Sequence, residues 1–358
     1  MCVNDTIMIK ISQKQQQTML LFLQNAFLSS SQTHNLLLKT GVDLSLVTVK
    51  RELKRMSSAG ILTATGKGRS SAYSISALGR IFAKIDAGVY CAKEPDKRYG
   101  LDHFNFELLP AWPSEVFATD ELAALKSATN EYRGRTADLP SSIAKKEIER
   151  LVIELSWKSS KIEGNTYTLL DTEKLILEHK EAPGHGKKET RMILNHKNTF
   201  IFVHENAKNF RALTHANLEQ LHKILVKGLN VGIGLRQKPV GVVGSKYRPL
   251  DNIHQIKEAV DLLVSAVAKA ESPFTKALTA LAGLSYIQPF EDGNKRTARL
   301  MADALLLAHG CAPLSYRSVD EKEYREATTV FYELNSLMPI KKIFIEQYEF
   351  AAKNYAVR

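Results

Sequence analysis

The sequence predicts a mainly α-helical protein preceded by a small α+β unit, and three observations carry that prediction. From about residue 119 to the end, apolar residues recur at helical spacing in one long segment after another. The first eighty or so residues instead read as three helical segments followed by two β-prone runs. One stretch, RQKPVGVVGSKYRP, interrupts the helical body with valine and glycine, a composition suited to a small β-hairpin or extended flap.

A chain of 358 residues is long enough for two or three domains and a substantial core. The expected division is a small α+β domain at 1–89, a connector at 90–118 and a helical domain at 119–358. The formal net charge of +11 suggests an anionic partner and leaves nucleic acid, nucleotide and plain solubility open. Cys2, Cys91 and Cys311 have no metal or redox spacing and read as free thiols of a reducing cytosol. TMLLFL is too short to span a bilayer and too glutamine-flanked for a secretory signal, and no later run is long enough. A cytoplasmic protein with no membrane partner is the expectation.

In order along the chain, Gln13 to Leu28 has helical spacing, with Met19, Leu20, Leu23 and Phe27 on one face. QTHNLLLKTG is a short helix closed by Gly41. SLVTVKRELKRMSSAG runs from a Ser45 cap to Gly60 and turns Val49, Leu53 and Met56 inward. ILTATGKGRSSAYSIS supplies two strands joined by a Gly-Lys-Gly turn. This order resembles a winged helix-turn-helix. Between Ser45 and Ser70 six basic residues face one acid, Glu52. Thr48, Lys50, Arg51, Lys54 and Arg55 on the third helix, with Lys67 and Arg69 at the hairpin tip, form the candidate DNA interface. The alternative is a solvated basic helix in a winged domain used for protein contacts.

After a connector rich in proline and aromatic residues, helices are expected at 119–133, 144–160, 172–180, 189–208 and 216–225. They resume at 252–270, 273–286, 296–309, 320–334 and 340–354. Between two of them lies YIQPFEDGNKRTARL, Tyr286 to Leu300. Leu278, Leu281, Leu284 and Ile287 mark a buried helix that stops at Pro289. The chain then delivers free backbone N–H groups to the start of a second buried helix, with Gly293 allowing close approach, which is a ready anion site. Arg296 and Arg299 project from one face of that start, where cations oppose the helix dipole unless an anion lies between them. Asp292 is an oxygen ligand suited to magnesium bridging phosphates. A plain Asp-Gly turn with solvated arginines is the alternative.

QPFEDGNKRTAR resembles the signature of the Fic (Fido) family, His-Pro-Phe-x-acid-Gly-Asn-Gly/Lys-Arg-x-x-Arg. Upstream, SSKIEGN resembles the family's autoinhibitory Ser/Thr-x-x-x-Glu-Gly/Asn motif, and the valine-rich flap falls between the two. The resemblance runs from about Phe104 to Ile345. It implies an all-helical Fic domain that transfers AMP from ATP, with magnesium, to a Ser, Thr or Tyr hydroxyl of a target protein, often as a homodimer. By position, Asp292 would hold the metal. Gly293, Asn294, Lys295 and Arg296 would bind the α- and β-phosphates, and Arg299 the γ-phosphate. Phe290 would anchor the loop. Val240, Gly241, Val242, Val243 and Gly244 would dock an extended target segment. Ser159, Glu163, Gly164 and Asn165 would form the inhibitory segment, with Glu163 pairing Arg299 where the γ-phosphate belongs.

Two positions depart from the family. Gln288 stands where the general base is a histidine, and an amide cannot take up a proton. Lys295 stands where AMP-transferring relatives have glycine, as in Doc-type phosphotransferases. The expectation is therefore an autoinhibited adenylyltransferase impaired at its base. The alternatives are a nucleotide-sensing DNA-binding regulator and a Doc-like phosphotransferase. His215 and His222 share no metal spacing with a carboxylate.

Overall fold

Short polar side chains fix where many of the helices begin. Ser12, Ser29, Ser45 and Ser76 each accept a backbone N–H of the first turn that has no intrahelical partner, and Thr168, Thr214 and Ser272 do the same further on. The structure, a computed structural model, describes residues 11–66 and 68–357. In chain order the elements are α1 (Gln13–Gln24), β1 (Leu28–Ser29), α2 (Ser30–Lys39), α3 (Leu46–Ser58), β2 (Leu62–Thr65), β3 (Ala72–Ile75), α4 (Ala77–Phe82) and α5 (Ala87–Cys91). There follow α6 (Thr119–Ala137), α7 (Ser141–Ile162), α8 (Leu169–Glu178), α9 (Lys187–Glu205) and α10 (His215–Leu225). The last are α11 (Ile253–Lys269), α12 (Pro273–Ile287), α13 (Asn294–Ala308), α14 (Glu321–Leu334) and α15 (Met338–Asn354). The protein is mainly helical, with one three-stranded antiparallel sheet near its amino end.

The chain divides into two compact units. The first takes Met1–Pro113, Val242–Arg248 and Glu326–Ile340. Its sheet has the order β1-β3-β2, with Leu62 opposite Ile75 and Leu28 opposite Tyr73. Met19, Phe22, Leu37, Val49, Leu53 and Met56 form its core, so α3 buries the face its apolar spacing predicts. Lys50, Arg51, Lys54 and Arg55 are exposed on the other face, and Thr48 is half-buried. Lys67 lies outside the described residues, as does the Arg69 side chain. The first helix is shorter than expected. It ends at Gln24 because Leu28 and Ser29 pair with β3 as a strand, and Phe27 is left exposed rather than buried.

The second unit takes Ser114–Gly241, Pro249–Arg325 and Lys341–Arg358. At its centre α12 and α13 pack along each other and are buried almost throughout, and α12 accordingly reads as apolar on all sides. Gly283 lets α11 approach α12: a Cβ there would stand 2.3 Å from a Leu263 methyl carbon. Helices α7, α9 and α10 pack on α13. No helix among the described residues is long and apolar enough to cross a membrane.

Of the two forms expected of it, the Val/Gly stretch takes the extended flap and not the paired hairpin. Residues 237–247 contain no strand, only a turn closed by Ser245 N–H donating to Val242 O at 3.2 Å with Gly244 left-handed. The backbone and side-chain groups after the turn bind elsewhere within the first unit. Ser245 Oγ donates to the buried Glu333 carboxylate at 2.7 Å, and Arg248 N–H to Asp102 O at 2.8 Å. The result is an extended flap whose tip carries Val243, 99% exposed.

Candidate active site

The six residues between α12 and α13 are held by bonds within the loop and by bonds from more distant segments. Pro289 disfavours helical geometry at the residue before it, and Gln288 accordingly takes a left-handed conformation (φ 51°, ψ 59°). Its side chain turns back, Nε2 donating to Ser285 O at 2.6 Å. Asn294 closes the loop: its Oδ1 accepts Phe290 N–H and its Nδ2 donates to Phe290 O, both at 2.8 Å. The Phe290 ring is fully buried and stacks on His222, centroids 3.7 Å apart and planes 6° from parallel. Burial pushes the His222 pKa down to about 4, so the ring is neutral at pH 7. With a carbonyl, Asp292 O, at 3.0 Å from Nε2, the proton belongs on Nε2.

Gly293, at φ 81°, turns the chain into α13. By helix geometry the N–H groups of Asn294, Lys295 and Arg296 have no intrahelical acceptor. Arg296 and Arg299 follow on the same face, and neither is solvated: they are 2% and 0% exposed. One Nη1 in each makes no hydrogen bond among the described residues. Arg296 reaches Asp292 Oδ1 only at 3.5 Å, and burial lowers its pKa against the pull of Asp292 and Glu163. Two buried guanidinium groups with spare donors beside a helix amino end form an anion site in need of an anion.

Part of that need is met from α7. Arg299 donates from Nε to Ser159 Oγ at 2.9 Å, and from Nη2 to Ser159 O at 2.9 Å and Glu163 Oε1 at 2.8 Å. Lys295 Nζ stands 4.0 Å from Glu163 Oε2. Glu163 occupies this place because α7 ends there in a Schellman closure, with Gly164 at φ 92°, Asn165 N–H on Ser160 O and Gly164 N–H on Lys161 O. Asn165 then anchors the turn through Nδ2 to Glu189 O and Oδ1 from Tyr167 N–H. Burial would raise the Glu163 carboxyl, but Arg299 and Lys295 outweigh it and hold the group below the usual carboxylate range. The same pairing lifts Arg299 above an ordinary guanidinium despite its burial.

The structure thus brings together Ser159, Glu163, Asp292, Gly293, Asn294, Lys295, Arg296 and Arg299, drawn from two segments more than a hundred residues apart. Several participants carried no signal in the sequence. Arg325 donates twice to Ile162 O and so caps α7 one residue before Glu163. Tyr316 and Tyr324 rings lie 5.9 and 5.6 Å from the Arg299 guanidinium, within cation–π range. His222 was visible only as a helical histidine without metal spacing. His196, on α9, is fully buried with neither ring nitrogen bonded among the described residues, and burial together with Arg299 and Arg296 drives its pKa well down. Three-ligand groups of His, Cys, Asp or Glu are absent among the described residues. Asp292 is a single carboxylate, 46% exposed, which fits a cation that arrives with phosphate oxygens rather than a protein-only cage.

Residues 212–306 match the Fic/DOC family, so the chain contains a Fic/DOC family domain. It is 26% identical over 203 residues to the protein adenylyltransferase Fic of Nematostella vectensis, covering 55% of this chain and 48% of that one. Against the protein adenylyltransferase fic-1 of Caenorhabditis briggsae it is 22% identical over 232 residues, 63% of this chain and 46% of that one. The chain therefore spans about half the length of these curated relatives. In fold it is similar to Fic-1 (residues 134–508) from C. elegans, with TM-score 0.57, 18% identity and coverage of 66% and 72% of the two chains. It is likewise similar to a Fic domain-containing signaling protein from Bacteroides thetaiotaomicron, with TM-score 0.55, 19% identity and coverage of 64% and 94%.

Proposed function

We propose that the protein is an autoinhibited Fic-type protein adenylyltransferase, built to transfer AMP from ATP to a target hydroxyl but lacking the general base. The observation that carries the reading is the ion pair between Glu163 and the fully buried Arg299 at 2.8 Å. A carboxylate beside two buried guanidinium groups stands where a terminal phosphate would otherwise be gripped. In this reading the N–H groups after Gly293 and the spare donors of Arg296 and Arg299 hold the triphosphate. Asp292 ligates magnesium, which when bound neutralises phosphate charge and fixes phosphate orientation. Glu163 competes for Arg299 and keeps the nucleotide out of a productive pose. Phe290, packed on His222, keeps the loop in register. The exposed flap presents backbone to an extended acceptor segment.

Gln288 limits the chemistry. Its side chain is committed to Ser285 O and has no lone pair basic enough to take the acceptor's proton. Nucleotide uptake without efficient transfer is the consequence. The experiment is calorimetry with Mg-ATP on the wild type and Glu163→Gly, together with self-labelling by labelled ATP. Uptake that strengthens on removing Glu163 supports the reading. Uptake absent in both proteins, or self-labelling by Glu163→Gly undiminished relative to a Glu163→Gly, Gln288→His protein, sinks it.

A second reading is favoured by that same tied-back amide and by the exposed basic face of α3. It is a DNA-binding regulator in which the Fic/DOC domain senses nucleotide. DNA affinity that shifts with ATP while no product forms would select it. Lys50→Glu should then weaken binding to all sequences alike and flatten the salt dependence by about one unit. Phosphate rather than AMP found on a modified residue by mass spectrometry would instead select the phosphotransferase reading that Lys295 raises.

A further inference from the structure

We infer that Arg236 is a positioning residue, which sets where the two stems of the flap, at Lys238 and Leu250, stand relative to residue 288. Arg236 begins the flap and is only 2% exposed. Its guanidinium makes backbone contacts in three directions. Nε donates to Gln288 O at 2.7 Å, Nη1 to Lys238 O at 2.9 Å, and Nη2 to Leu250 O. Lys238 and Leu250 are the two stems of the flap. One planar fork therefore holds both stems and the residue at the general-base position of the signature loop.

The neighbouring bonds run the same way. Arg236 N–H donates to Pro289 O at 3.0 Å, and Gly232 N–H to Glu291 Oε2 at 2.9 Å. Two bonds thus tie 232–236 to 288–291. Gln288 O is a helix-terminal carbonyl without an intrahelical donor, and a cation there also suits the dipole of α12. A left-handed backbone is unfavourable for a residue other than glycine, so position 288 needs such outside support. The nucleotide-facing groups, Asp292 to Arg299, receive nothing from Arg236 in these bonds. The fork consequently governs acceptor placement and leaves nucleotide grip alone. Placement of this kind enters the rate steeply, because reacting groups must be held to within a fraction of an ångström.

The inference rests on the enzymatic reading above, so its test separates the two. In the 358-residue chain carrying Glu163→Gly and Gln288→His, the Arg236→Gln change should lower kcat for self-labelling about 10- to 100-fold. The KM and calorimetric Kd for Mg-ATP should stay within about 3-fold. Arg236→Lys, which keeps the charge but not the fork, should recover part of the loss. Amide hydrogen exchange, read by mass spectrometry without any need for activity, should speed up in segments 237–240, 249–251 and 285–289. An ATP affinity that falls in step with kcat overturns the inference. So does exchange in those segments that matches the parent, and this outcome decides the matter even if the parent transfers nothing. Should Arg236→Gln fail to fold, Arg236→Lys is judged by the same two measurements.

Discussion

The two halves of the loop between α12 and α13 are built on opposite principles. From Gln288 to Phe290 every polar group considered above is bonded to protein: amide to Ser285, carbonyls to Arg236, backbone to Asn294. Nothing there titrates. From Asp292 to Arg299 the reverse holds, with buried cations that keep unbonded donors and a carboxylate borrowed from α7. A saturated half is stiff and positions things. An unsaturated half is costly alone and binds things. In the proposed reading, anion grip and proton transfer are therefore separable, and only the first has its groups in place.

The largest test of that contrast adds the missing function to the stiff half. Gln288→His in a Glu163→Gly background should raise self-labelling by about 10²- to 10⁴-fold. Histidine tolerates the left-handed backbone of this position better than most residues. A gain under tenfold would mean the halves are not separable. Next is the unsaturated half. Glu163→Gln should cost up to about 3 kcal/mol, less than for a fully enclosed pair because Glu163 is 20% exposed. Mg-ATP should restore more stability to that variant than to wild type, as thermal unfolding will report.

The sign with pH follows from the lowered carboxyl. Folded Glu163 holds its proton less tightly than unfolded glutamate does, whose pKa is about 4.3. The pair's contribution is therefore full above that value and lost as pH falls below it through the folded pKa. Wild type and Glu163→Gln should converge in unfolding free energy in strong acid, and a gap that persists there counts against the pair. His196 gives a smaller effect of related origin. Its folded pKa lies well below that of the unfolded chain, about 6.5, so stability should decline as pH drops below 6.5. His196→Leu should flatten that decline between pH 6.5 and 5. Smallest of all, Arg325→Gln removes the cap on Ile162 O and should cost about 1–2 kcal/mol while loosening Glu163. If ATP affinity did not change in that variant, the α7 terminus would not be what presents the carboxylate.

How much of this was legible beforehand depended on range in sequence. The α3 core face, the Ser45 cap, the helix stop before Pro289 and the glycine turn at 293 are local matters, decided within a turn or two of chain. They read correctly. Phe27 did not, because a two-residue strand pairing with β3, over forty residues away, ended α1 early. The choice between hairpin and extended flap was not legible either, because Glu333 and Asp102 take the polar groups that a ladder would have used. Arg325, His196, His222 and Arg236 bear nothing in their own neighbourhoods that marks them.

By itself, then, the order of residues determined a helical body, a small α+β start and a loop with the right chemistry to hold an anion. Those follow from backbone sterics and apolar period, which act over a few residues. Only the tertiary structure decided that both arginines are buried, that α7 lends one of them a carboxylate, and that a fork from Arg236 ties the flap to residue 288. Burial and charge pairing depend on which distant segments share a dry space, and no local pattern encodes that.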